Sequence, residues 1–212
     1  MLKNPPLFLP AWLGAFLLML AGQAHAIEEP KFTVTLKTEV FEVRSYEPYA
    51  VAEVVVPGPE AEAGSQGFAL LGAYIFGKNK GERKLDMTAP VTQKPAPIKL
   101  EMTAPVTQSP AAAGGYLVQF VMPLGSTLAS LPEPVDPRVT LKNVAPQQMA
   151  VIRYSGTWSQ ANYDEQLSRL RMAVAQAGMQ TKGEPVFSRY DPPFMPWFLR
   201  RNEIWLPVLI SK

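Results

Sequence analysis

The sequence predicts an α+β fold in which two related halves build one barrel-like sheet with two helices outside it. Three observations predict it. Short alternating or β-branched runs, bounded by Pro and Gly, recur along most of the chain. Two segments read instead as helices, one apolar nearly all round and one with a single apolar stripe. The order strand, turn, strand, helix, more strands also occurs twice. FEVRSYEPYAVAEVVV (41–56) followed by a helix is echoed by VTLKNVAPQQMAVIRYSG (139–156) followed by a helix.

Residues 1–26 stand apart from that pattern. Lys3 gives a charged start, Leu7 to Leu20 is almost wholly apolar, and Ala24-His25-Ala26 has the small-x-small form that signal peptidase cuts after. The expected organisation is a signal peptide over 1–26, removed, and one domain over 27–212. The apolar run is short of the ~20 residues that span a bilayer, so an uncleaved anchor is the minor alternative. No Cys follows it, which excludes a lipid-modified N-terminus. Localisation is therefore expected to be exported, periplasmic or secreted.

Taken in order, Phe32 to Arg44 alternates as a strand with a break at Lys37-Thr38, and Tyr46-Glu47-Pro48 is a turn. Tyr49 to Val56 is a β-branched strand ended by Pro57-Gly58-Pro59, and 60–66 reads as a loop. Gly67 to Phe76 is predicted as a short buried helix closed by Gly77. The stretch from Lys78 to Lys84 is a charged loop. Tyr116 to Met122 is a strand ended by Pro123, and Leu124 to Pro137 is a surface connection. Arg138 to Val144 and Met149 to Tyr154 are strands. From Ser159 to Ala177 the residues Tyr163, Leu167, Leu170, Val174 and Ala177 form one helical stripe stopped at Gly178. Pro185 to Tyr190, a turn at Asp191-Pro192-Pro193, and a closing strand from Asn202 to Leu209 complete the chain.

Between the first helix and the strand at 116 lies a doubled phrase. KLDMTAPVTQ (84–93) returns as KLEMTAPVTQ (99–108), with Asp86 replaced by Glu101. A spacing of 15 residues is too short for a solenoid repeat. Met, Ala and Val alternate with Thr and Pro in each copy, as in a strand with one buried face. Pro90 and Pro105 cannot donate to a ladder, so each marks an edge, a bulge or a strand end.

Composition removes several function classes. Without the first 26 of its 212 residues the chain keeps 186, enough for one sizeable core, with 19 basic against 18 acidic side chains. No basic run marks a nucleic-acid footprint. The chain has no Cys, and its one histidine, His25, lies in the segment expected to be removed. The commonest general base and the commonest transition-metal ligand are then missing together. No converging carboxylate pair or phosphate-binding glycine loop is visible, and Asp86 with Glu101 is the only pair to watch. No catalytic or metal residue is therefore assigned, and an enzyme ranks lowest.

The motifs VFEVRSYEPYAVAEV, AYIFG at 73–77, the doubled MTAPVTQ, Met122-Pro123, and YDPP followed by RRNEIWLPV resemble the SOUL haem-binding protein family, from about residue 32 to 209. The resemblance implies a distorted β-barrel of two pseudo-symmetric halves flanked by two α-helices. It also implies binding of haem or another tetrapyrrole without an assigned reaction, as a carrier, buffer or scavenger. Such a ligand is a flat apolar plate with carboxylates on one edge, and needs an apolar surface and cations. The region that matches the family's binding helix supplies the candidates Phe68, Leu71, Tyr74 and Ile75, with Met87 beside them. The expected cofactor is haem, non-covalent and held without His ligation; Met87, Met102, Met195 and Tyr74 are the remaining axial candidates. Lys78, Lys80, Arg83 and Lys84 are the nearest cations in sequence, for the stretch from Gly64 to Gly77 has none. Arg200-Arg201-Asn202-Glu203 reads as a structural pair before it reads as an anion clamp. Phe194, Trp197 and Phe198 form a loop that is a lid, a partner surface, or simply folded onto the barrel. The expected partner is a tetrapyrrole or other apolar small molecule, with no nucleic acid and no stable membrane insertion once the signal is removed. The alternative is a binding module for another apolar ligand or a protein partner in the cell envelope.

Overall fold

The computed structural model describes residues 28–81, 99–100, 103–112, 114–192 and 194–209. The leader, the first copy of the repeat with Asp86 and Met87, and Glu101 and Met102 of the second lie outside these residues.

In chain order the elements are β1 (Phe32–Lys37), β2 (Glu42–Tyr46), β3 (Tyr49–Val56), α1 (Glu60–Ile75), β4 (Val106–Pro110), β5 (Tyr116–Val121), β6 (Thr140–Val144), β7 (Gln147–Tyr154), α2 (Gln160–Gln176), β8 (Gln180–Thr181), β9 (Val186–Arg189) and β10 (Asn202–Leu209), with a 3-10 turn at Trp197–Leu199. The sheet order is β1-β2-β7-β10-β9-β4-β5-β3-β6, with β8 against β10, and every pairing is antiparallel. Reading from β2 to β6, exchanging β2 with β6, β3 with β7, β4 with β9 and β5 with β10 reverses that order onto itself. The two halves are thus related by a two-fold between β4 and β9.

Pro48 and Pro146 explain how the sheet closes. Each sits in the two-residue gap of a long strand, between β2 and β3 or between β6 and β7, where it cannot donate to a ladder. The two bent strands lie side by side in a single register, Glu42↔Val151 and Tyr46↔Gln147 before the bends, Tyr49↔Val144 and Glu53↔Thr140 after them. The outer arms of this bent pair then carry the sheet round to the far edge. The result is a distorted barrel with both helices outside, as expected from the sequence.

Alternation along the strands separates three cores. Under α1, Ala52, Val54, Val118 and Phe120 meet Leu71, Tyr74 and Ile75. Under α2, Val43, Ala150, Ile152, Ile204 and Leu206 meet Leu167, Leu170 and Val174. The opposite face of the same strands holds Tyr46, Met149, Val151, Tyr190 and Trp205 inside the barrel. Leu167, Leu170 and Val174 of the α2 stripe are buried as expected, whereas Ala177 is exposed at the cap before Gly178.

Several boundaries differ from expectation, among them the start of β7 at Gln147 and the end of β2 at Tyr46. The second repeat copy is not extended throughout, since its strand begins only at Val106, after a cis Ala104-Pro105 bond. Its polar Thr107 and Gln108 are buried together with Ala104, because both faces of β4 are covered. The sixth strand starts at Thr140, not Arg138. The largest difference is α1, which begins at Glu60 and runs through the segment read as a loop. Gly64 and Gly67 look like helix breakers, at a cost of about 1 kcal/mol each. In the fold they are where the helix touches the sheet. A Cβ on Gly64 would lie 2.5 Å from Arg189 Nη1, and one on Gly67 would lie 2.6 Å from Val118 Cβ.

Candidate functional site

A concavity lies between α1 and the chain before β6. Ala69, Leu70, Ala73 and Tyr74 form one wall and Pro134 to Val139 the other, with Lys78 also on the lining, around a groove of about 630 Å³. That is within the range of small-ligand pockets. Small side chains at 69 and 73 keep the helix wall flat, while Pro134 and Pro137 stiffen the opposite one.

The far wall is tied down at several points. Leu131 and Val139 are buried in the α1 core. The Tyr74 hydroxyl donates to the Pro132 carbonyl at 2.9 Å, and Lys80 N donates to Glu133 O at 2.8 Å. Asn79 pairs with Pro134 as an isolated bridge, and Lys80 Nζ meets the Glu133 carboxylate at 2.8 Å. Arg138 at the mouth is paired with Asp136 at 2.7 Å. Hydrogen bonds from Arg138 hold the exposed Asp136 carboxyl down to about 2.

The sequence-based candidates fall in different places. Tyr74 lines the groove, although its ring is buried and its hydroxyl already serves Pro132. Leu71 and Ile75 point into the core beneath the helix. Phe68 is half-exposed, packs edge-on against Phe120 at 5.2 Å, and does not line the groove. Met87 lies outside the described residues. The helix is not apolar simply because it is buried: Phe68 and Phe76 face outward. Ala69, Ala73 and the 134–139 wall carried no sequence signal beyond their prolines.

A second cluster fills the barrel interior. Glu203, fully buried, takes Arg44 Nη1 (3.0 Å), Tyr190 Oη (2.8 Å) and Trp205 Nε1 (2.8 Å) on one carboxylate oxygen. Its other oxygen takes Arg201 Nε (3.1 Å) and Nη2 (2.9 Å). Arg44 also meets Glu42 at 3.1 Å, and Arg201 meets Glu29. Burial pushes the Glu203 pKa up, but Arg44 and Arg201 outweigh it and the carboxyl lies below its ordinary value. Burial likewise raises the Tyr190 and Tyr46 hydroxyls. Both oxygens are satisfied, so the cluster is a clamp between β2, β10 and the N-terminal segment. The Arg44 and Arg201 guanidiniums that could attract an anion are already engaged by Glu203, Glu42 and Glu29. Sequence reasoning had Arg201 and Glu203 as a structural pair but missed Arg44, 159 residues away.

The aromatic loop after β9 is not folded onto the barrel. Phe194 is 85% exposed, and Trp197, Phe198 and Leu199 are exposed as well. Its backbone is nevertheless anchored, by Gly156 N to Trp197 O at 3.0 Å and Arg200 Nε to Met195 O at 2.8 Å. Arg200 and Arg189 both stack on Trp158, at 4.3 and 5.0 Å. None of the loop residues lines the groove beside α1. Among the described residues no cluster of three or more His, Cys, Asp or Glu is placed to hold a metal ion. No described helix is long and apolar enough to cross a membrane.

The molecule is thus an α+β barrel of two related halves, with a groove along one helix and an interior closed by ion pairs. The SOUL heme-binding protein family model matches residues 27–207, and the chain belongs to that family. It is 29% identical to heme-binding protein 2 of Mus musculus over 169 residues, 78% of this chain and 77% of the relative, and 28% identical to heme-binding protein 2 of Homo sapiens over the same shares. Among solved structures it is similar in fold to EcmrR in an EcmrR–DNA complex, with a TM-score of 0.55 and 10% identity over 94% of this chain. The chain spans 64% of the length of that EcmrR chain. It is also similar in fold to a hydrolase from Listeria innocua, with a TM-score of 0.53 and 14% identity, covering 82% of this chain and 94% of the other. At these identities the likeness is one of fold alone.

Proposed function

We propose that this chain is an exported, non-enzymatic protein that binds haem or a related tetrapyrrole in the groove beside α1, as a carrier, buffer or scavenger. One observation carries the reading: an apolar groove of about 630 Å³ lies on the helix that the sequence singled out. The macrocycle would lie along Ala69 and Ala73 against Pro134 and Val135, with Tyr74 at its floor. Leu71 and Ile75 hold the helix on the sheet, Phe68 extends its apolar surface on the other flank, and Met87 belongs to the candidate set from sequence. Of the two lining cations, Lys78 is the candidate for a carboxylate edge, since Arg138 is matched by Asp136.

The described lining residues fit the plate better than the metal. None of them is His, Cys or Met, and the Tyr74 hydroxyl is committed to Pro132. Binding by surface contact should therefore treat haemin and metal-free protoporphyrin alike. The test is a parallel titration of the full chain with both, read by the Soret band and tryptophan quenching. Saturable binding of both at micromolar concentration, abolished by Ala73→Trp, is the expected result. No response to either ligand, or binding indifferent to Ala73→Trp, overturns the assignment. The same lack of an iron ligand favours a second reading, another flat apolar small molecule in the same groove, which native mass spectrometry of protein from its own host would reveal.

A further inference from the structure

We propose that a second copy of this chain docks on the outer face of α1, the two helices antiparallel about a two-fold axis near Leu70. From Ala63 to Gly77 the helix and its end carry no charged residue. A helix without a charged face is ordinarily covered on every side. The sheet covers the inner side of α1, while Phe68, Ala69 and Phe76 are exposed, Phe76 to 56%. The rings of Phe68 and Phe76 flank Gly72, where a Cβ would lie 4.0 and 3.9 Å from them. Ala69 and Ala73 continue this surface into the groove, and the exposed Val135 stands on the opposite wall. A contiguous apolar surface of this kind marks a contact face. The outer face of α2 carries Asp164, Glu165, Arg169 and Arg171 instead.

Charge selects the occupant. The uncharged stretch is bounded by one acid, Glu62 in the first turn of α1, and one cation, Lys78 just past its C-cap Phe76. Both are exposed, and among the described residues neither side chain is in an ion pair. Lys99 Nζ, over the Phe76 ring at 5.9 Å, adds to the positive end. Glu62 and Lys78 lie equally far in sequence on either side of Leu70. An antiparallel second copy therefore sets Glu62 against Lys78 of the other chain, and Lys78 against its Glu62. The same alignment sets Phe68 of each copy against Gly72 of the other. A parallel copy would oppose like charges at both ends. The contact is isologous, so both ion pairs form at once. Exposed pairs add little affinity but fix partner and orientation, while the Phe rings supply the apolar burial.

Sedimentation equilibrium of the full chain tests the proposal, with no tetrapyrrole present so that the result is separate from the groove titration. The wild type should dimerise at micromolar concentration. Glu62→Lys and Lys78→Glu each oppose like charges at both ends, and each alone should weaken the dimer at least about tenfold. Mixing these two variants makes every pair opposite again and should restore the dimer as a heterodimer. Both changes in one chain should restore it as a homodimer. Phe76→Ser should weaken it by about tenfold as well, through lost apolar burial. All four positions changed are exposed or lie past the helix, and circular dichroism checks that each variant folds. A monomeric wild type overturns the proposal and leaves the face to a ligand or another partner. Association indifferent to the charge changes, as the apolar leader would give, also overturns it. Weakening by both single variants without rescue in the mixture overturns it too, and assigns Glu62 and Lys78 to the dipole of their own helix.

Discussion

The two halves of the barrel follow one path yet treat their outer and inner faces in opposite ways. The first half's helix, α1, leaves Phe68 and Phe76 exposed and borders an apolar groove. The second half's helix, α2, turns Asp164, Glu165, Arg169 and Arg171 to solvent over a narrow buried stripe. Inside, the contrast reverses. Arg44 and Lys142 hold corresponding places in the two bent strands, and each pairs with an interior acid. Arg44 reaches Glu203 with both side chains buried, whereas Lys142 reaches Glu53 from a side chain that is 62% exposed. The same frame is thus used in two ways: one half closes its interior with a charged clamp, and the other half's helix borders the groove.

Removing the clamp should be the most damaging single change. Glu203→Ala leaves the Arg44 and Arg201 guanidiniums in the interior without their shared carboxylate, and breaking a buried pair in this way costs about 3–5 kcal/mol. Glu53→Ala in the other half removes a carboxylate whose cation remains in water, and should cost about 1 kcal/mol. Denaturant unfolding of the two variants measures the difference, and equal losses would break the comparison.

Acid offers a milder probe of the same clamp. The folded Glu203 pKa lies below the ordinary value of 4.5, so the stability it contributes is complete above that value. That contribution is lost as pH falls from 4.5 through the folded pKa. The melting temperature should therefore drop between pH 5 and pH 3 in the wild type, and drop less steeply in Glu203→Gln. Parallel curves would show that other carboxylates govern acid unfolding.

The first half has its own point of rigidity where α1 crosses the sheet. Gly67→Ala places a methyl 2.6 Å from Val118 Cβ, and such overpacking costs about 1–3 kcal/mol despite the gain in helix propensity. α2 contains no glycine, so an alanine at its exposed Ser168 should change stability by no more than about 0.5 kcal/mol. Thermal melts of both variants decide it. An unaffected Gly67→Ala would mean that α1 lifts readily from the sheet.

What the sequence disclosed follows from the range of the interactions. Strand alternation, the α2 stripe and the strand-bend-strand repeat are local patterns, and they led to the barrel with its two helices. The start of α1 was hidden because Gly64 and Gly67 read as breakers until Arg189 and Val118 are seen beneath them. The groove was half legible for the same reason. Apolar α1 pointed to the right helix, but Leu71 and Ile75 could not be told from Ala69 and Ala73 without knowing which side met the sheet. Its second wall depends on Tyr74 reaching Pro132 across 58 residues, and no local pattern announces that contact.

That contact gives the smallest and most selective prediction. Tyr74→Phe keeps the ring in the α1 core and deletes the hydroxyl that holds the Pro132 carbonyl. A lost hydrogen bond of this kind is worth about 1 kcal/mol, or roughly 2–4 °C in melting temperature for a domain this size. The wall from Pro134 to Val139 would then be held mainly by Lys80, Asn79 and the buried Leu131 and Val139. A looser wall lowers the groove's complementarity to a flat ligand, so protoporphyrin affinity should fall by more than the stability change alone implies. Arg171→Ala on the outer face of α2 should alter neither quantity. If instead Arg171→Ala weakened protoporphyrin binding and Tyr74→Phe did not, the ligand face would belong to the second half, and the division of labour between the halves would have to be reversed.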